Sequence, residues 1–523
     1  MPESLDQALA ALPLSFPGAG GAVAVVKDGQ ILARHAWGFA DLERRIPFTP
    51  ATMFLVCSIT KQFTCATTLL TTNLDRAPDI LESQLAVRLP RLARRPTATH
   101  LAHNQSGLRD YWALTALSGS PVEAPFTEAQ ARRLTDRAET THFTPGTRYS
   151  YCNQNFRILG DLISERAGRP LAELMRSHVF DRAGMPTARL NPDTSQVPGF
   201  TRGYEGSQQA GFRPAENRIT WTGDAGLSAS LDDLIAWERH IDATRDNPES
   251  IHARLSAPVA FADGSPAGYG WGLARGTLLG RDILSHGGGL RGWRSFRAYA
   301  PAARLSVVVL FNHMADPRAA ATRLVAAALG EDLPTPATGP QIPWAGRYLD
   351  PETGLAAHIE AQPNGHATLH FAGHPEPTTP AADGSHEAGP LRLRPAPGGL
   401  RMTRATDNID TVLEPATGTP APAPAPAPDG DGAGRYRNEE LGADITIADA
   451  GGTLYAACAG ELGEGAMVPL VPYAADTWLM PCPRALDFSA PGDWTLTFRR
   501  SESRVTGLQL GCWLARGIEY TRA

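Results

Sequence analysis

Lysine is almost missing from this chain. Among 523 residues there are 48 basic side chains, and only Lys27 and Lys61 are lysine; the other 46 are arginine. Such a bias points to a coding preference that exchanges the two wherever either will do. A lysine that stays is informative, because arginine cannot shed its proton in a protein and lysine can. Cysteine is scarce too. The six cysteines, at 57, 65, 152, 458, 482 and 512, form no C-x-x-C pair and stand near no histidine at zinc-ligand spacing. That argues against a metal centre and a disulfide framework, and for reduced thiols. No apolar run approaches the roughly 18 residues that span a bilayer. Residues Met1 to Gly18 lack a basic start and a long apolar segment, so the expectation is a cytoplasmic protein with no secretory signal and no membrane span. Basic charge is in deficit as well: 48 basic against 54 acidic groups leave −6, which argues against a nucleic-acid binder.

What is present is ordinary globular composition, 42% hydrophobic and 20% charged. At about 150 residues per domain the length suggests roughly three domains. Proline marks the boundaries. Leu333 to Pro343 (LPTPATGPQIP) reads as an extended linker, and the Pro-Ala alternation within Thr417 to Gly434 as a stiff spacer followed by a flexible Asp-Gly run. The expected division is 1–333, 344–416 and 433–523, with linkers at 334–343 and 417–432. The two smaller segments look like copies. Gly346-Arg347-Tyr348 recurs 88 positions later as Gly434-Arg435-Tyr436, and the same shift aligns Glu352 with Glu440, Gly354 with Gly442 and Ile359 with Ile447. Short alternating runs such as Leu391-Arg392-Leu393-Arg394 and Trp494 to Phe498 predict a small antiparallel β-barrel or sandwich for each.

The first segment mixes element types. Ala22 to Val26 and Gln30 to Ala36 flank Lys27-Asp28-Gly29 in a hairpin pattern. Helices are expected over Ser58 to Leu70, Phe156 to Glu165, Ser230 to Ile241 and Arg318 to Leu329, and a buried strand over Arg304 to Phe311. Strands at both ends with helices between predict an α+β unit: one antiparallel sheet closed by both ends, flanked by helices, plus a helical region.

Three short motifs carry chemistry. In Ser58-Ile59-Thr60-Lys61 the two ends share a helical face, so an amine reaches a hydroxyl; alone, the pattern is equally an N-cap serine and a surface lysine. Tyr151-Cys152-Asn153 supplies a hydroxyl able to relay a proton and an amide able to bind a carbonyl. Tyr-x-Asn recurs as Tyr436-Arg437-Asn438, which reads as turn and strand. His286-Gly287-Gly288-Gly289 leads toward a strand, where glycines permit close approach and the Gly289 N–H is free to act as an oxyanion donor; by itself it is also a glycine-rich hairpin. Their order, S-x-x-K then Y-x-N then H-x-G at separations of 93 and 135 residues, resembles that of the serine penicillin-recognising enzymes.

The resemblance goes further. KQFTCA (61–66), NQSGLRDYWAL (104–114), THFTPG (141–146), YSYCNQNFRILGDLI (149–163), HGGGLRGW (286–293) and CWLARGIEY (512–520) are similar to the bacterial D-aminopeptidases of that family. The likeness implies a β-lactamase- and penicillin-binding-protein-like catalytic domain followed by two barrels. It implies D-stereospecific aminopeptidase activity on short peptides, amides and esters through a serine acyl-enzyme. A homodimer, β-lactams as inhibitors, and no cofactor or metal belong to the same expectation. Carried over, Ser58 is the nucleophile, Lys61 its proton acceptor and donor, Tyr151 a participant in proton transfer, and His286 the third-motif residue. Asn153 and the Gly289 N–H would contact substrate. A loop of the last barrel, Pro483 to Asp493, would reach the site, with Asp487 binding the substrate's amine. Ala274-Arg275 departs from the pattern, which has an asparagine there near the substrate, and the departure bears on side-chain preference. His286, mostly neutral near pH 7 at its reference pKa of about 6.5, suits an enzyme that does not anchor a C-terminal carboxylate. An esterase, β-lactamase or D,D-peptidase of the same fold is the nearest alternative; a non-catalytic ligand-binding protein is an alternative of another class.

Overall fold

The computed structural model describes residues 2–335, 337–417, 432–482, 484–485, 488–489 and 492–523. The first unit is built on eight antiparallel strands: β1 (Gly20–Lys27), β2 (Gln30–Asp41), β3 (Ile46–Pro47), β4 (Tyr269–Gly270), β5 (Leu273–Leu278), β6 (Arg281–Leu290), β7 (Trp293–Ala300) and β8 (Leu305–Phe311). Their spatial order is β3-β2-β1-β8-β7-β6-β5-β4. The N-terminal strand thus lies against the last one, with Val23 opposite Val309, and both ends of the unit close one sheet as the sequence predicts. The β1–β2 turn is Asp28-Gly29, both at positive φ, and Lys27 faces Gln30 across it. This is the two-residue turn that Asp-Gly favours.

The strands' side chains alternate between two cores. Val23, Val25, Val307 and Val309 pack with Ala8, Leu12 and Leu324 of the helices α1 (Leu5–Ser15) and α6 (Pro317–Leu329). Ala22, Ala24, Val308 and Leu310 face the larger helical side. Burial on both faces explains why β1 reads as a nearly unbroken apolar run.

That helical side holds α2 (Thr60–Thr72), α3 (Tyr111–Leu117), α4 (Asn153–Ala167) and α5 (Leu231–Thr244). Helix α2 is buried on nearly every side. Its threonines remain compatible with burial because Thr67 and Thr68 donate to Phe63 O (2.7 Å) and Thr64 O (2.9 Å) in their own helix, and Thr64 to Gly223 O (2.6 Å). Ser230 caps α5 with Asp233 in a reciprocal capping box.

Next comes a closed eight-stranded barrel, from Gly346–Leu349 to Ile409–Pro415, sealed where Tyr348 meets Pro415. The last unit is a ten-stranded half-barrel, open among the described residues between the strands Gly463–Glu464 and Val471–Ala474. The suspected copies match in detail. Gly346 faces Ile359 and Gly434 faces Ile447 in the same register. Tyr348 and Tyr436 each donate to the carbonyl four residues earlier, at 2.7 and 2.8 Å. Tyr436-Arg437-Asn438 is strand, and Asn438 holds Glu519 O and Leu441 N. The second Tyr-x-Asn is therefore structural.

The last unit grips the first through α3. Tyr111 and Trp112 belong to the core of the first unit, whereas Ala113, Leu114 and Leu117 are buried in the core of the half-barrel. One seven-residue helix is shared between two hydrophobic cores, so the two units are packed as one body.

Candidate active site

Ser58 lies in a short 3₁₀ turn, Cys57–Ile59, just before α2, and is 8% exposed. Lys61 follows one turn later and is fully buried. Its Nζ donates to Ser58 Oγ (3.0 Å), Asn153 Oδ1 (2.9 Å) and the carbonyl of Asp224 (2.7 Å). Nζ also sits 4.9 Å from the centroid of the Tyr151 ring and 5.4 Å from that of Phe156. Burial pushes the Lys61 amine down to about 8, against the pull of Asp224 and Asp110.

Two neighbours pin this geometry, and local sequence signals neither. The Asp110 carboxylate accepts from Asn153 N (2.5 Å) and from Asn153 Nδ2 (2.9 Å). Because an amide nitrogen donates to that carboxylate, Oδ1 is the atom turned to Lys61. Asp224 offers Lys61 its carbonyl, and its carboxylate accepts from the Tyr111 hydroxyl and from Thr222 N (2.9 Å). Both aspartates are fully buried. Asp110 in turn donates its N–H to Leu514 O (3.0 Å), and Arg109 donates to Arg516 O (2.9 Å) and Gly517 O (3.3 Å). The half-barrel thus holds the segment that orients Asn153.

Tyr151 is half-buried, against the core of the half-barrel. Burial pushes its hydroxyl well above the ordinary tyrosine range, and a hydrogen bond with the Ser58 side chain opposes that push. It stays protonated and can pass a proton on. His286 is on β6, its ring centroid 6.2 Å from that of Tyr151. His286 Nδ1 lies 2.5 Å from Gly287 O, which can only accept, so Nδ1 carries the hydrogen. Burial, reinforced by Lys61, pushes the ring down to about 3, so Nε2 is bare at neutral pH. It accepts from the Tyr269 hydroxyl at 3.0 Å. Tyr269 is a third residue that the motifs do not announce. The third motif is therefore uncharged in the folded protein.

Two glycines let the walls close on Ser58 and Lys61. A Cβ on Gly288 would stand 2.3 Å from Val56 O, and one on Gly272, at φ 74°, would stand 2.5 Å from the Lys61 carbonyl carbon. Strand β5 pairs with β6 only up to Ser285, opposite Ala274, so Gly287 to Leu290 extend beyond their neighbour on that edge. Gly289 lies in this stretch, opposite Arg294 on β7. The structure brings Ser58, Lys61, Tyr151, Asn153 and His286 together. Asp487 lies outside the described residues. The two-residue strands Arg484–Ala485 and Phe488–Ser489 pair with each other, the first beside α3 and the second beside β6.

The comparisons match this layout unit by unit. A family model described as Beta-lactamase matches residues 10–330, and one described as D-aminopeptidase, domain B, matches residues 337–521. A D-aminopeptidase of Gluconobacter oxydans (strain 621H) is 50% identical over 526 aligned positions, spanning 99% of this chain and 98% of its own. This chain belongs to the D-aminopeptidase family. Family members from Cereibacter sphaeroides (strain KD131 / KCTC 12085) and Brucella melitensis biotype 2 (strain ATCC 23457) are 47% and 44% identical, each over 99% of this chain and 99% and 98% of their own. The octameric penicillin-binding protein homologue from Pyrococcus abyssi shares the fold at TM-score 0.55 and 18% identity, covering 86% of this chain and 97% of its own. A penicillin binding protein from Bacillus halodurans shares it at 0.50 and 22%, covering 62% and 99%.

Within this family member, Lys61→Arg should keep the charge and lose the function. The slot around Nζ is closed, and a guanidinium cannot become neutral. Hydrolytic kcat should fall by about 10²–10⁴, with circular dichroism unchanged. A folded variant retaining more than a tenth of the activity would contradict a role for the neutral amine.

Proposed function

We propose that the protein is a D-stereospecific aminopeptidase that removes N-terminal D-residues from short peptides, amides and esters through an acyl-enzyme on Ser58. The carrying observation is the hydrogen-bond set of Lys61. Asn153 Oδ1 and Asp224 O can only accept, so a neutral amine turns its two N–H bonds to them and its lone pair to Ser58 Oγ, 3.0 Å away. Neutral Lys61 takes the Ser58 proton as Oγ bonds to the carbonyl carbon of the N-terminal residue. N–H groups of Ser58 and Gly289 hold the resulting oxyanion, a contribution whose loss typically lowers kcat by about 10²–10³. Tyr151 hands a proton to the departing amine as the C–N bond breaks and regains one from the Lys61 ammonium, so both groups return to their starting states. Water then attacks the ester, and the D-amino acid leaves.

Uncharged His286 supports an enzyme that does not hold a C-terminal carboxylate through its third motif. Asp487 would hold the free amine from the half-barrel loop, which also limits the site to short substrates. The six cysteines are buried thiols, which suits a reducing cytoplasmic setting. Among the described residues no helix is long and apolar enough to cross a membrane. Homodimer formation belongs to the same reading.

Three outcomes are expected. D-alanine p-nitroanilide should be hydrolysed at least about 10²-fold faster than its L-isomer or its N-acetylated form, because an unpaired amine site rejects the blocked substrate. Equal rates on free and acetylated anilide would remove the aminopeptidase reading and the role of Asp487, leaving an esterase or amidase of the same fold. Incubation with ampicillin should leave a covalent adduct on the peptide containing Ser58; an unmodified peptide would favour a non-catalytic binding protein. Finally, the base must be neutral, so kcat/KM should rise with pH and level off above the Lys61 value of about 8. A profile flat from pH 6 to 9 would rule out Lys61 as the titrating base.

A further inference from the structure

Away from Ser58 there is a cavity of about 330 Å³ where all three units meet. Its walls include His142 and Arg148 of the catalytic unit, Glu352 of the barrel, and Gln509, Arg516 and Gly517 of the half-barrel. Arg516 is 3% exposed. Its guanidinium lies 5.3 Å from the Trp513 ring centroid, and its Nε donates to Trp513 O (3.3 Å), but its buried Nη2 has no protein partner. Neither ring nitrogen of His142 has one. The ring stacks on Phe143 with centroids 4.8 Å apart. Arg148 pairs with Glu352, so two arginines and one glutamate leave the lining one charge positive.

Two carboxylates, Asp407 and Asp350, attract Arg516 across space, and each spends its hydrogen bonds elsewhere. Asp407 accepts from Arg404 Nε at 2.8 Å, and Asp350 from Thr411 Oγ1 at 2.9 Å and from Glu352 N at 3.2 Å. Neither forms an ion pair with Arg516 among the described residues. Burial, then the guanidinium groups of Arg516, Arg109 and Arg148, hold the His142 ring well below its ordinary range. A cationic side chain buried without a hydrogen-bonded counter-ion is costly, and a planar N–H fork matches an oxyanion.

We propose that this cavity is a binding site for a small oxyanion, held by Arg516, His142 and Arg148. The anion completes the hydrogen bonding of Arg516 and joins the three units. It also sits behind both segments that reach the active site. Leu514 O, Arg516 O and Gly517 O hold Asp110 and Arg109, and Thr147-Arg148 runs directly into Tyr149 to Tyr151. Occupancy stabilises that junction and leaves the Ser58 pocket open.

The test follows the unfolding temperature of the full-length protein against rising inorganic phosphate, with sodium chloride holding ionic strength constant. Parallel titrations with acetate and D-alanine distinguish an inorganic oxyanion from the carboxylate of a released amino acid. A saturable rise with at least one of the three is expected, with apparent affinity about tenfold weaker, or lost, in Arg516→Met and in His142→Phe. His142→Phe keeps the ring stack and removes only the nitrogens, so it decides the matter if Arg516→Met fails to fold. No saturable rise in the wild type, or an undiminished rise in His142→Phe, overturns the proposal.

Discussion

The structure turns on one constraint: an amine must be buried beside Ser58 without remaining a cation. Water would keep Lys61 charged near its ordinary value, and an uncompensated interior would not tolerate it. The fold resolves this with acceptors that suit either state. As an ammonium, Lys61 finds three, in Ser58, Asn153 and Asp224; as an amine it keeps two and offers its lone pair to the third. Burial brings the two states close enough to exchange at physiological pH. The closed packing of α2, the threonines that bond back into their own helix, and the glycines at 272 and 288 all serve to keep water from that amine.

The acceptors themselves are set from outside the catalytic unit. Leu514 O fixes the Asp110 backbone, the Asp110 carboxylate fixes the amide of Asn153, and Asn153 Oδ1 meets Lys61. This chain of contacts crosses from the half-barrel to Lys61 through one residue of each kind that can transmit orientation: a carbonyl, a carboxylate and an amide. Helix α3 gives it a rigid footing, since its two faces are buried in different cores. The C-terminal unit is therefore part of the scaffold of the site. A loop alone would leave Asn153 free to flip.

Much of this was legible in the sequence, for reasons that differ by residue. Nearly unbroken apolar runs at both ends predict a sheet closed by both ends, because strands buried on both faces have no polar alternation. Asp28-Gly29 predicts its turn because only such residues take positive φ at two successive positions. The 88-residue offset predicts a duplicated unit, and the two tyrosines make matching contacts because a duplicated strand keeps its register. Asp110, Asp224 and Tyr269 were not legible as site residues. Each lies far along the chain from the group it serves and acts through a tertiary contact that leaves no local period or spacing. NQSGLRDYWAL and CWLARGIEY stood out as family-like stretches, yet only the fold shows that they touch each other. The reference value of histidine predicts a mostly neutral His286; burial and Lys61 make that state firm over the whole physiological range.

The scarcity of lysine can now be read residue by residue. At Lys27 the side chain stands at the end of a hairpin, facing Gln30, where nothing in the structure demands an ammonium over a guanidinium. At Lys61 arginine is unsuited: it spreads its charge over a plane, and it cannot present a lone pair. Elsewhere the permanent charge of arginine is an advantage. Arg297, fully buried against Glu238 at 2.6 and 2.8 Å, makes a bidentate contact that lysine cannot. Arg109 reaches carbonyls of two consecutive half-barrel residues with one planar fork. The replacement of lysine by arginine therefore runs through the scaffold, where fixed charge and fork geometry hold units together, and stops where the chemistry needs a proton to come and go.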